Sequence, residues 1–132
     1  MMRFLTEFFT WWNGQTMGTR FFTWRKGERV GEDEFGNVYY RAPSKIPSSI
    51  AERRWVIYNG LAEPSAIPAG WHGWIHHRTD ETPVDEAYTP HEWEKPHQKN
   101  LTGTAGAYRP VGSLFNPNPA PAKKDYEAWS PE

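Results

Sequence analysis

The nearest approach to a chemical pattern in this chain of 132 residues is a set of histidines. His72 and His76 are four residues apart, the spacing that places two imidazoles on one face of a helix, as a zinc site requires. A hydrolytic zinc helix also needs a glutamate, acting as general base, directly after the first histidine. Here that position is Gly73. His77 falls off the face, and His91 and His97 have no spacing that ties them to it. The histidines therefore read as hydrogen-bonding groups turned to backbone or to a partner. The acidic run Glu32-Asp33-Glu34 lacks the alternating oxygens of a calcium loop and reads as a solvated turn. Asp80, Glu81, Asp85 and Glu86 flank Pro83 in a stretch too exposed to raise a carboxyl pKa for acid–base work. Glycine-rich phosphate loops and a G-x-S-x-G nucleophile elbow are missing. There is no cysteine, which removes disulfides, thiolate metal ligands and a thiol nucleophile. The expectation is no catalytic residue, no metal and no cofactor.

A third constellation is Arg20-Phe21-Phe22-Thr23-Trp24-Arg25-Lys26, together with Arg53-Arg54-Trp55. On a small sheet such residues could stack the bases of a single-stranded nucleic acid. They could equally serve as Trp and Arg anchors against a protein, or pack internally with their charges in water. The net charge is −1, without the basic footprint of a nucleic-acid binder, so the last two uses are favoured.

The elements that must position these residues come from an unusual apolar inventory. Twenty-one aromatic residues stand against only fourteen Leu, Ile and Val, whereas aliphatics normally fill a self-sufficient interior. The pattern predicts a small core carrying extended segments. Residues 3–12 predict a short helix, with Phe4, Phe8 and Trp11 or Trp12 at i, i+4, i+7/8. Such a helix is marginal alone and needs a surface, either protein or a bilayer interface. Residues 16–42 predict an antiparallel meander, with Thr19–Trp24 as a strand, a turn at 26–28, a return over 29–32, a turn at Phe35-Gly36-Asn37 and a strand from Val38. Residues 42–52 read as a loop, RRWVIYNG (53–60) as the best strand, and 68–77 as a short helix with Trp71, Trp74 and Ile75 on one face. Eight of the twelve prolines fall after Thr79. That part reads as an extended arm with isolated anchors at Tyr88, Trp93, Tyr108, Leu114, Phe115, Tyr126 and Trp129, and it must lie along something to be ordered. The predicted fold class is small α+β or mainly β: a meander with one or two short helices, a long Pro-rich C-terminal arm and little regular structure. Its segments are 1–14 for docking, 15–78 for the compact centre and 79–132 for the arm. No apolar run is long enough to span a bilayer, and the start reads as neither a secretory signal nor a mitochondrial presequence.

Three blocks carry a resemblance: VGEDEFGNVYYR (30–41), RRWVIY (53–58) and IPAGWHGWIHHRTDETP (67–83). His97-x-x-Asn100-Leu101-Thr102-Gly103-Thr104, Tyr108-x-Pro110 and Trp129 before Pro131 extend it over residues 15–131. In this order and spacing they resemble the 17.2-kDa accessory (supernumerary) subunit family of NADH:ubiquinone oxidoreductase, respiratory complex I, in its α-proteobacterial form. The resemblance implies a non-catalytic subunit that binds no redox centre and wraps core subunits of the peripheral arm near its junction with the membrane arm. It implies the cytoplasmic face of a bacterial plasma membrane, or the matrix side in a mitochondrion. A paralogous assembly factor shares the central blocks and is the alternative reading. The partner-binding residues expected on this basis are Phe8, Trp11 and Trp12 at the N-terminus, Arg53, Arg54, Trp55, Tyr58, Trp71, His72, Trp74 and His76 in the centre, and Trp93, Tyr108 and Trp129 on the arm. The expected partners are core subunits, with lipid or membrane-interface contact through residues 1–12, no nucleic acid and no second copy of the chain.

Overall fold

A computed structural model describes residues 2–43, 52–117 and 129–131. The loop expected over 42–52 therefore lies mostly outside the described residues, as do Tyr126 and most of the NPNPAPAKK stretch (116–124). The order of elements is α1 (Met2–Phe9), α2 (Met17–Lys26), β1 (Glu28–Glu32), β2 (Val38–Pro43), β3 (Glu52–Ile57), a 3-10 turn over Pro64–Ala66, and α3 (Ala69–Ile75). The strands form one antiparallel sheet in the order β1-β2-β3. This is the small α+β meander expected, with low regular structure. The chain separates into two units, Met1–Lys99 and Asn100–Glu132.

One expectation is corrected. Thr19–Trp24 lies within helix α2 and not in a strand. Thr and aromatic residues favour strands, but that preference is weak and context-dependent. A local device outweighs it here: Thr16 caps the helix, its hydroxyl accepting from the Thr19 amide at 3.3 Å, which satisfies an otherwise orphaned donor. Trp55 then gives the helix a surface. Phe22 packs on the Trp55 ring at 5.3 Å between centroids, and the indole N–H donates to Thr23 Oγ1 at 3.0 Å.

The core lies on the opposite face of the sheet, because side chains alternate along a strand. Tyr39, Ile67, Trp71 and Trp74 form it, with Val30, Val56, Tyr58 and Ile75 around them. Tyr39 and Trp71 stack at 4.0 Å, and Trp74 meets both edge-on, so three rings do the filling usually done by aliphatics. Gly31 makes this possible: a Cβ there would stand 2.8 Å from Trp71 Cη2. The β1–β2 register shifts between Arg29 and Gly31, a bulge of the kind that re-aims a strand.

The second unit, where described, is a succession of tight turns. Leu101 and Thr104 carbonyls accept from Thr104 and Ala107, and Pro110 and Ser113 carbonyls accept from Ser113 and Asn116. Gly103 and Gly112 sit at φ 85° and 91°, the left-handed region that favours glycine.

Candidate functional site

Two charged residues of the centre, Asp33 and Arg54, are committed to structure. The Asp33 carboxylate, expected in a solvated turn, is instead a hub. One oxygen accepts from the Phe35 and Asn37 amides, both at 2.9 Å. The other accepts from Asn37 Nδ2 at 2.8 Å and from the Tyr39 hydroxyl at 2.9 Å. Asn37, itself buried, passes the network on: its Oδ1 accepts from the Asn59 amide at 2.9 Å. Asn59 Nδ2 returns to the Phe35 carbonyl at 3.0 Å. Gly36 fits the turn at φ 81°. Burial, and then the bond to Asp33, push the Tyr39 hydroxyl pKa well above its ordinary value. This carboxylate accepts four hydrogen bonds, two on each oxygen.

Arg54 is the second hub. Its side chain is 3% exposed. Nε donates to Glu52 Oε1 at 2.7 Å, Nη1 to the Trp74 and Thr79 carbonyls at 2.7 and 3.0 Å, and Nη2 to Asp80 Oδ1 at 2.6 Å. The guanidinium also lies 4.8 Å from the Trp74 ring centre. It uses the planar fork peculiar to arginine to tie β3 to the end of α3 and the chain beyond. Trp71 and Trp74 are 3% and 1% exposed. Arg54, Trp71 and Trp74, expected to bind a partner, thus hold the chain's own fold, because the rings fill the core and the guanidinium caps carbonyls behind it. Trp55 and Tyr58 are half-buried. Burial raises the pKa of Tyr58. Arg53 is exposed and leans over Phe22 at 5.2 Å.

His72 and His76 lie on one exposed side of α3 with ring centres 4.2 Å apart. Among the described residues, no three His, Asp or Glu side chains gather as metal ligands. His97 does have a structural bond, its Nε2 lying 2.8 Å from the Ser65 carbonyl, with Phe35 edge-on to the ring. It ties the end of the first unit to the turn that precedes α3.

The outward-facing set lies elsewhere. Phe8, Trp11 and Trp12 are 66%, 74% and 44% exposed, and Trp93, Tyr108 and Trp129 are 77%, 87% and 81% exposed. Phe21 and Trp24 on α2 join them, at 59% and 78%. The sequence reading named both in the basic-aromatic run as possible anchors but placed them on a strand, where the structure has a helix. The aromatics therefore divide into a small buried set, which builds the fold, and a large exposed set, which faces outward.

The family model for NADH ubiquinone oxidoreductase subunit NDUFA12 matches residues 27–131. The chain belongs to the NDUFA12 family. It is 39% identical over 89 residues to NADH dehydrogenase [ubiquinone] 1 alpha subcomplex subunit 12 of Dictyostelium discoideum, covering 66% of this chain and 62% of that one. It is 37% identical over 76 residues to an uncharacterised protein of Rickettsia prowazekii, covering 58% and 76%. With the Bos taurus alpha subcomplex subunit 12 it shares 32% over 113 residues, covering 77% and 70%. The match thus spans just under two thirds of the Dictyostelium relative's length. The NDUFA12 match begins at Gly27, the residue that ends α2, so both N-terminal helices precede it. Both hubs and the three-ring core fall inside it.

Proposed function

We propose that this chain is a non-catalytic accessory subunit of respiratory complex I that stabilises the peripheral arm near its junction with the membrane arm. It acts mechanically and carries no redox centre. Its partners are core subunits of that arm, and it sits peripherally on the cytoplasmic face of a bacterial plasma membrane. Supporting this reading, the Dictyostelium and Bos relatives are named NADH dehydrogenase [ubiquinone] 1 alpha subcomplex subunit 12, and no helix among the described residues is long and apolar enough to cross a membrane.

The observation that carries the reading is the division of the aromatics. A fold that closes on a handful of buried residues leaves Trp93, Tyr108 and Trp129 almost fully exposed. Tryptophan and tyrosine bury much area for little lost rotamer freedom, which suits them to anchor an extended chain on a neighbour. Residues 1–12 make the contact with the membrane interface. The test is deletion of the gene followed by native-gel analysis of solubilised membranes. Loss or fragmentation of the intact complex is expected. A complex that assembles fully and is equally stable overturns the reading, and finding the chain only on immature subcomplexes replaces it with an assembly role.

A further inference from the structure

Helix α1 is turned inside out. At 3.6 residues per turn, Phe4, Leu5, Phe8 and Phe9 share one side with Met2, while Arg3, Thr6 and Glu7 share the other. A surface helix normally lays its apolar stripe on its own core. Here Glu7, on the polar side, is the residue of the helix turned inward, while Arg3 and Thr6 are exposed. Glu7 is 13% exposed and its carboxylate accepts from Arg20 of α2 at 2.6 Å. The apolar side points away, with Phe4, Leu5, Phe8 and Phe9 between 53% and 74% exposed and no residue of the helix buried. Trp11 and Trp12, next in the chain, are also exposed, and α2 carries the exposed pair Phe21 and Trp24, 5.8 Å apart.

The charge on this part of the chain says what covers it. Residues 1–26 carry Arg3, Arg20, Arg25 and Lys26 against one acid, Glu7, a net +3 in a chain whose total is −1. That acid is already held by Arg20. Aromatic and aliphatic bulk with basic residues beside it is the composition of a helix that lies in the plane of an anionic bilayer surface. Trp favours the headgroup level. Eight residues of helix rise only about 12 Å, too short to cross the hydrocarbon core.

We infer that α1 and α2 together form a docking element for anionic lipid headgroups, seating the chain on a membrane surface directly. This rests on the membrane contact proposed above for residues 1–12, extends it to α2, and gives it a lipid class.

The test is cosedimentation of the purified full chain with phosphatidylcholine vesicles, with and without phosphatidylglycerol. Binding is expected only to the anionic vesicles and should weaken as salt is raised. Each basic residue near such a surface contributes roughly five-fold to partition. The triple variant Arg3→Gln, Arg25→Gln, Lys26→Gln should therefore bind on the order of 100-fold more weakly. Phe8→Ser with Trp11→Ser should also weaken binding. Both alter exposed side chains; an unchanged near-ultraviolet circular dichroism spectrum for the triple variant, and an unchanged urea midpoint for the double variant, will show that the aromatic core is intact. Failure to bind either vesicle, equal binding to both, or unchanged binding by the triple variant overturns the inference. If α1 and α2 bind no vesicle yet are needed to retain the chain on the complex, the surface is a protein interface and the inference falls. Because no other subunit is present, the outcome is independent of whether the chain belongs to complex I.

Discussion

The rings of Tyr39 and Trp71 lie 4.0 Å apart and 4° from parallel, and Trp71 can reach that position only because Gly31 has no side chain. The stack joins β2 to α3, two elements separated by some thirty residues. Gly31→Ala would put a methyl group 2.8 Å from Trp71 Cη2. The ring is wedged between Tyr39 and Trp74 and cannot yield cheaply. Over-packing of this kind costs about 1–3 kcal/mol. Urea denaturation of the purified variant should show a lower midpoint with the slope unchanged.

Asp33→Ala removes the acceptor of four hydrogen bonds, two of them from the buried Asn37. Donors left unsatisfied cost about 1–3 kcal/mol each where water cannot replace the partner, as at the buried Asn37. A loss of roughly 3 kcal/mol is expected, larger than for Glu34→Ala next door, which should be within about 0.5 kcal/mol of the parent. Comparing the two variants by thermal melting separates the hub from the charge of the run.

Much of the centre was legible and the hubs were not, for a definite reason. Alternation and turn residues marked β2 and β3, and i, i+3 spacing marked Trp71 and Trp74 on α3, because those signals are local. Asp33 and Arg54 look like ordinary surface charges in a string of letters. What makes them structural is the groups brought to them by folding: the Phe35 and Asn37 amides to Asp33, and the Trp74 and Thr79 carbonyls to Arg54. The α2 helix was misread as a strand because its cap, Thr16, and its platform, Trp55, are weak or distant signals beside a β-favouring run. Trp93 and Tyr108 were legible only as isolated anchors on an arm without periodic neighbours, which left open whether they lie on the chain's own centre; the structure leaves both exposed.

Arg54 allows a sharper contrast. Its two carboxylate partners differ in setting: the Glu52 side chain is 23% exposed and that of Asp80 is 93% exposed. Arg54→Lys keeps the charge but loses the fork, so that it cannot serve the Thr79 carbonyl, the Trp74 carbonyl (which keeps the His77 amide) and both carboxylates together. A loss of about 2–3 kcal/mol is expected. Asp80→Asn removes only a solvent-screened partner and should cost less than about 1 kcal/mol. Equal effects from the two substitutions would show that the ion pair, and not the carbonyl bonds, gives Arg54 its weight.

Alkaline pH acts through Tyr39. Its folded pKa is raised by burial and by the bond to Asp33. In the unfolded chain it ionises near its ordinary value of 10.0. The folded state therefore holds a proton that the unfolded state gives up above that pH. The contribution is complete below pH 10 and declines as pH rises beyond it. Spectrophotometric titration of phenolate should show Tyr39 silent until the chain unfolds, and Tyr39→Phe should remove the corresponding part of the alkaline slope.

The arm predicts the opposite pattern from the core. Trp93, Tyr108 and Trp129 cover little within their own chain, so replacing each by alanine should leave the urea midpoint of the isolated protein unchanged. In a complex the same rings would be desolvated against a neighbour, where aromatic anchors commonly contribute 2 kcal/mol or more each. The variants should therefore fold normally but dissociate from solubilised complex at lower detergent or salt than the parent, roughly 30-fold more weakly for a single anchor of that size. Trp71→Ala must behave the other way, losing stability as an isolated chain before any partner is considered. A core substitution acts on the fold and an anchor substitution on attachment. If Trp93→Ala destabilised the free chain as much as Trp71→Ala, the arm would be part of the fold and the division between buried and outward aromatics would fail.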